Sequence, residues 1–281
     1  MSDGFRKLGR ATALLDPRSS GPGFLTVQVS LRHDDSQNPS IMLGFASIFG
    51  LGSSNLGVKA TATAEDGVVG FEITDSGQTP TLLPLALHED AWNNLLSQGV
   101  TGGNDNYTYN PDTGEVSAGS DGLPELNLYP GSGTDQLPPG NFGTVDIGSS
   151  NNSTNDIARQ ILYGVNEADL AYFGGKLELG QDGTLLLNGD TGLSAGIKDE
   201  LTAIRGQPRT IPIFDAVGGP GNNAEFNVIN FAGIRIMYVK LTGPMKRKQV
   251  IIQPAVVVDE TFVTDESGSS YFVYRPVALC R

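Results

Sequence analysis

Two histidines and one cysteine are all that the 281 residues offer to nucleophilic or zinc chemistry. A Ser-His-Asp or Cys-His mechanism must use His33 or His88. Cys280 stands alone beside the C-terminus, so neither an intrachain disulfide nor a CxxC ligand pair can form. Glu89 and Asp90 follow His88 directly, and an imidazole beside two carboxylates suits acid–base work or a metal. The same two acids fit the first turn of a helix on electrostatic grounds, and that reading is the stronger. Asp105, Asp112 and Glu115 lie in an Asn/Asp/Gly-rich segment where calcium could bind, but their spacing matches neither an EF-hand loop nor a nonapeptide repeat. Turn chemistry accounts for those residues and for Asn188–Gly192 alike. Gly218-Gly219-Pro220-Gly221 leads into a strand and lacks a following Lys-Ser/Thr, so it is not a phosphate-binding loop. Asn106-Tyr107-Thr108 and Asn152-Ser153-Thr154 match the glycosylation pattern, which arises readily in a chain of this composition. No catalytic, cofactor or metal residue is assigned, and a non-enzymatic protein is expected.

Composition narrows the classes further. Lys and Arg total 18 against 31 Asp and Glu, a formal charge of −13 that repels phosphate backbones. The sole basic cluster, Lys246-Arg247-Lys248, reads as a solvated turn, so no nucleic acid partner is expected. No apolar run is long enough to span a bilayer, and Met1–Arg10 has no apolar core of a signal peptide. Glycine numbers 37 and proline 16, while charged residues make up only 17%. That balance describes many short elements joined by turns.

The elements that must position these groups follow from periodicity. Val27, Val29 and Leu31 alternate with polar residues over 24–31, as do the residues of 55–64; both read as strands, expected to pair. Ile41–Phe49 is a buried helix or a strand. Trp92, Leu95 and Leu96 share one face of a helix over 88–97 that Gly99 stops. Tyr107–Tyr109 and Glu115–Ser117 flank a Pro/Asp/Gly turn and predict a hairpin, and 176–179 with 184–187 predict another. Short helices are expected over 155–163, capped by Thr154 or Asn155, over 167–173, capped by Asn166, and after Ser194. The segments 210–217, 226–241, 249–258 and 271–279 are rich in Val, Ile, Phe and Tyr and predict three long antiparallel strands plus a lead-in strand. The fold class is α+β: a mainly antiparallel sheet with a few short helices inserted in the middle, loop-rich. Residues 1–23 form a flexible lead-in. A β-rich region with one helix and a Gly/Asn/Asp-rich loop segment spans 24–140, and an α+β region with a C-terminal antiparallel sheet spans 141–281.

A series of phrases in order carries a resemblance: Gly57–Glu65 after Ile48-Phe49-Gly50-Leu51, Pro84–Leu87 before the Trp92 helix, Gly140–Gly143 before Asp146-Ile147-Gly148, then Ile211–Asp215 and Phe231-Ala232-Gly233. Together they resemble the C-terminal, extracytoplasmic portion of bacterial Tad/Flp pilus-assembly TadE/TadG-like proteins, over about residues 24–258. The resemblance implies a cell-envelope protein on the periplasmic or surface side, with pilus-assembly or other envelope proteins as partners. Family members carry an N-terminal membrane helix that Met1–Gly23 lacks, so the implied anchor lies outside these residues. Larger relatives hold a metal-binding Asp-x-Ser-x-Ser motif that this sequence also lacks, and no catalytic residues carry over. Trp92, Tyr107 and Tyr109 are the candidate interface anchors, aromatics being enriched at interface cores, although the place of Trp92 in the helical stripe makes core the stronger reading for it. A secreted or surface binding module taking calcium or a glycan is the alternative, and a hydrolase the weakest.

Overall fold

The computed structural model describes residues 5–8, 11–15, 24–32, 41–42, 53–54, 57–102, 105–128, 142–148, 153–219, 223–244, 247–266 and 268–276. They divide into two compact units, residues 1–65 with 276–281, and residues 66–275. In the first unit β1 (Phe5–Leu8) pairs with β2 (Ala11–Leu15), and β2 with β3 (Phe24–Arg32). After a two-residue ladder of β4 (Ile41–Met42) with β5 (Ser53–Ser54), β6 (Gly57–Glu65) pairs along the whole of β3. All these pairings are antiparallel. The expected partnership of 24–31 with 55–64 is present, and its register sets Val27, Val29 and Leu31 opposite Ala62, Ala60 and Val58. The stretch read as a flexible lead-in contains β1 and β2; the prolines that suggested otherwise fall after Leu15. Most of the apolar run Ile41–Phe49 lies outside the described residues, as does Cys280.

The second unit runs β7 (Val68–Glu72), β8 (Leu85–His88), α1 (Glu89–Gln98), β9 (Tyr107–Tyr109), β10 (Val116–Ala118), β11 (Leu126–Asn127), β12 (Phe142–Val145), α2 (Thr154–Tyr163) and α3 (Glu167–Leu170). It continues with β13 (Lys176–Glu178), β14 (Leu185–Asp190), α4 (Lys198–Ala203), β15 (Pro208–Gly218), β16 (Ala224–Lys240), β17 (Gln249–Pro254), β18 (Val257–Val258), β19 (Phe262–Thr264) and β20 (Val273–Pro276). The chain is therefore strand-rich and mostly antiparallel with short helices, an α+β arrangement. No helix among the described residues is long and apolar enough to cross a membrane.

Strand pairing in this unit closes on itself. The order β16-β14-β12-β8-β15 returns to β16, making a small barrel from which β17 and then β11 extend. The ring is completed by a parallel contact of Ile213 and Phe214 with Leu87 and His88. Alternation along each strand then divides the apolar residues between two cores. Ala86, Val145, Leu187, Phe214 and Phe226 belong to one cluster, shared by all five ring strands and continued by Phe71 and Phe262 of the β13-β7-β19 sheet. Leu85, Leu87, Phe142, Ile211 and Ile213 face the other way, against Trp92, Ile161 and Leu201 of the helices. Phe226 occupies the barrel because Gly143 and Gly189 leave it room: a Cβ on Gly143 would lie 2.5 Å from its Cζ.

β16 serves both cores by changing face partway. Its pairing with β15 skips Ile229, since Ile213 is opposite Asn230 and Phe214 opposite Val228. Such a bulge inverts the alternation beyond it. Ala224, Phe226 and Val228 accordingly join the barrel cluster, whereas Ala232, Ile234 and Ile236 join the helical one.

Helix boundaries follow local chemistry. Asn166 and Asp169 form a reciprocal capping box at α3, and Ser194 accepts from Gly196 N–H, as expected of both caps. At α2 the cap is Ser153, one residue before Thr154 and two before Asn155, the expected caps, with its hydroxyl accepting from Asp156 N–H. Two strand expectations need correction. The turn at Gly180–Thr184 exists, but β13 pairs with β7 and β14 with β16, so the strands either side of it do not form a hairpin. Likewise β20 runs parallel to β18 and does not extend the antiparallel set, because the chain turns at Phe272, whose φ is 61°.

Candidate functional site

Five segments meet around an apolar cleft of about 360 Å³ in the second unit, lined by Leu96, Leu123, Pro124, Val256 and Phe272 with Arg235 on one wall. α1 contributes Leu96 near its end, where Gly99 adopts φ 54° and stops the helix. Leu123 projects from a loop that carboxylates hold in shape. Asp105 accepts from Asp121 N–H and Gly122 N–H, and Asp121 Oδ1 accepts from Leu123 N–H. Both carboxylate oxygens of Asp121 also accept, at 2.8 and 2.9 Å, from Nε2 of Gln253, a fully buried side chain on β17. Leu123 is left 43% exposed and Val256 52%, high values for aliphatic side chains facing one hollow.

Phe272 forms the back of the cleft under backbone strain. A positive φ is a genuine outlier for a bulky residue and costs on the order of 1–3 kcal/mol. Main-chain bonds on either side impose it: Tyr271 N–H donates to Phe231 O, Gly233 N–H to Tyr271 O, and Val257 N–H to Phe272 O. The crossing chain passes so close to Gly233 that a Cβ there would meet Phe272 O at 2.8 Å. Behind it the Phe272 ring stands edge-on to Trp92, with centroids 6.2 Å apart.

None of the expected anchors lines this cleft, and their surroundings differ. Trp92 is fully buried against Phe272 and Tyr271, the core position that its place in the apolar stripe of α1 favoured over an anchor. Tyr109 is half-buried under Arg235, whose guanidinium carbon sits 3.6 Å from the ring centroid while Nε donates to Gly206 O. Tyr107 stacks on Tyr238 at 5.3 Å and 13°. Burial raises the Tyr107 phenol, and Tyr238 and Glu125 add to that. Glu125, buried beside it, accepts from Asn106 and Tyr107 N–H; burial holds its carboxyl up against the pull of those two bonds. Sequence reasoning found the hairpin aromatics but missed Arg235, Phe272, Leu123 and Val256. Gly99 and the Pro124 and Pro254 punctuation were the only local signals.

The remaining candidates stay apart. His88 Nδ1 accepts from Asp90 N–H at 3.1 Å and caps α1, with its ring edge-on to Phe214. Asp105 is engaged by Ser120 and two backbone amides, foremost the Ser120 hydroxyl, which keeps its carboxyl low. Among the described residues no three His, Cys, Asp or Glu side chains converge as a metal-binding group. A second hollow of about 430 Å³ is polar, lined by Glu178, Gln181, Asp265 and Ser269 with no aromatic ring, and Glu178 is paired with Lys176 at 2.8 Å. The apolar cleft brings no acid–base pair together; what it can do chemically is bury an apolar side chain. No family model, curated protein or solved structure matches this chain.

Proposed function

We propose that the chain is a non-enzymatic, extracytoplasmic component of a Tad/Flp-type pilus-assembly or cell-surface structure, acting through protein–protein contact at the Phe272 cleft. The single observation that carries the contact is the pairing of exposed Leu123 and Val256 with a strained aromatic back wall. The TadE/TadG-like series of phrases supports the choice of system. The loop-rich character belongs to the same proposal, with Gly- and Asn-rich connections presenting short elements. Genes for a secretion ATPase and a prepilin peptidase beside this one, and loss of pili on its deletion, are the expected results. Val256→Asp, produced at normal level and folded, should reproduce that loss; normal piliation in both strains would overturn the reading. The polar hollow at Gln181 supports a second, glycan-binding reading. Glycan binding that survives Val256→Asp and disappears on Gln181→Ala would move the function there.

A further inference from the structure

The loop that follows β12 is bracketed by the two middle helices. Asp146 N–H donates to Asn188 O on β14, Gln160 Nε2 of α2 reaches Ile147 O at 2.6 Å, and a Cβ on Gly148 would meet Asp169 Oδ1 of α3 at 3.1 Å. Asp146 is 7% exposed, and its Oδ1 has no hydrogen-bond partner. Asp156 of α2 and Asp169 of α3 act on it electrostatically, and β14 sets Asn188 at its backbone and Asp190 opposite Thr144, two residues earlier. Arg159 is already committed, at 2.8 Å to Asp156 and 2.6 Å to Asp169. Asp156 and Asp169 thus share one guanidinium, and buried Asp146 forms no ion pair with a cation among the described residues.

We propose that Asp146 is a proton-operated latch: its neutral carboxyl lets α2 and α3 close over the loop after β12, and its ionisation loosens them. Burying an unpaired carboxylate is unfavourable, and proton uptake removes the cost without any other ligand. Burial, then Asp156 and Asp169, raise the carboxyl from 3.8 to about 6. A carboxyl with a raised folded-state pKa stabilises the fold fully below its unfolded value, and that contribution is lost as pH rises through the folded value. The window here is pH 4 to 6, within which a shift of about two units changes the folding equilibrium roughly a hundredfold. The looser state is the one above pH 6.

Hydrogen exchange of the whole chain, corrected for its intrinsic pH dependence, tests the latch. Amides of 154–173 should lose protection about tenfold or more between pH 5 and pH 8. Asp146→Asn should abolish that difference, and Asp112→Asn, at an exposed turn, should leave it intact. Equal protection at both pH values, or an unchanged difference in Asp146→Asn, overturns the proposal. Should Asp146→Asn fail to fold, carboxyl-carbon NMR of the unaltered chain decides. Titration of Asp146 near pH 6, tracked by α2 amides, supports the latch, and titration near pH 4 overturns it.

Discussion

Gly143 lies directly against the ring of Phe226, which fills the barrel from the facing strand; Gly189 flanks the same ring, at 2.9 Å from where its own Cβ would be. Both glycines also have a backbone carbonyl in the way of any side chain, Asp190 O and Thr144 O. Overpacking a site that cannot give way typically costs about 1–3 kcal/mol, and rigid backbone sets the upper end or beyond. Gly143→Ala and Gly189→Ala should each lower the urea midpoint accordingly. Gly218→Ala, with nothing within 4 Å of its Cβ, should stay within about 0.5 kcal/mol of the parent.

Trp92 is the only tryptophan and is fully buried, so it reports on the helical core. Emission should be blue-shifted in the native protein and move to the red in one transition on unfolding. Trp92→Ala should cost about 3–5 kcal/mol. Its Nε1 has no hydrogen-bond partner, so Trp92→Phe removes an unpaired donor and should cost distinctly less.

Where local pattern was enough, the sequence was readable. Alternation at Val27–Leu31 set a strand and its partner, the Asn110–Gly114 turn set the β9–β10 hairpin, and Asn166 and Ser194 marked helix starts. What failed was partner choice over distance. Leu177 and Leu187 alternate equally well, yet one strand joins Phe71 and the other Phe226, and nothing nearby in the chain distinguishes them. Barrel closure depends on the Leu87–Ile213 contact, two residues long and far apart in sequence. The cleft was hidden for a related reason. Leu123 and Val256 are unremarkable alone, and Phe272 sat inside what read as a continuous strand until its positive φ broke it.

Exposed Asp121 accepts from the amide of buried Gln253, whose Oε1 is left without a partner. Asp121→Ala should cost about 1–3 kcal/mol by leaving the whole amide unsatisfied. Adding Gln253→Leu should recover part of that loss, and a double-mutant cycle measures the coupling. Strict additivity would show that the pair does not fasten the Leu123 loop.

Calcium offers a direct check on the acidic loop. Asp105 already accepts from Ser120, Asp121 and Gly122. Millimolar calcium should therefore leave the thermal midpoint where it is. A midpoint that climbs with the logarithm of calcium concentration would indicate a ligand bound only by the folded chain.

The bulge at Ile229 has a mechanical consequence. Because one uninterrupted backbone runs through both clusters, tension applied to either is delivered to the other along covalent bonds before any side-chain contact yields. The long strand works as a tie-rod, and the two cores should rupture as a single event under load.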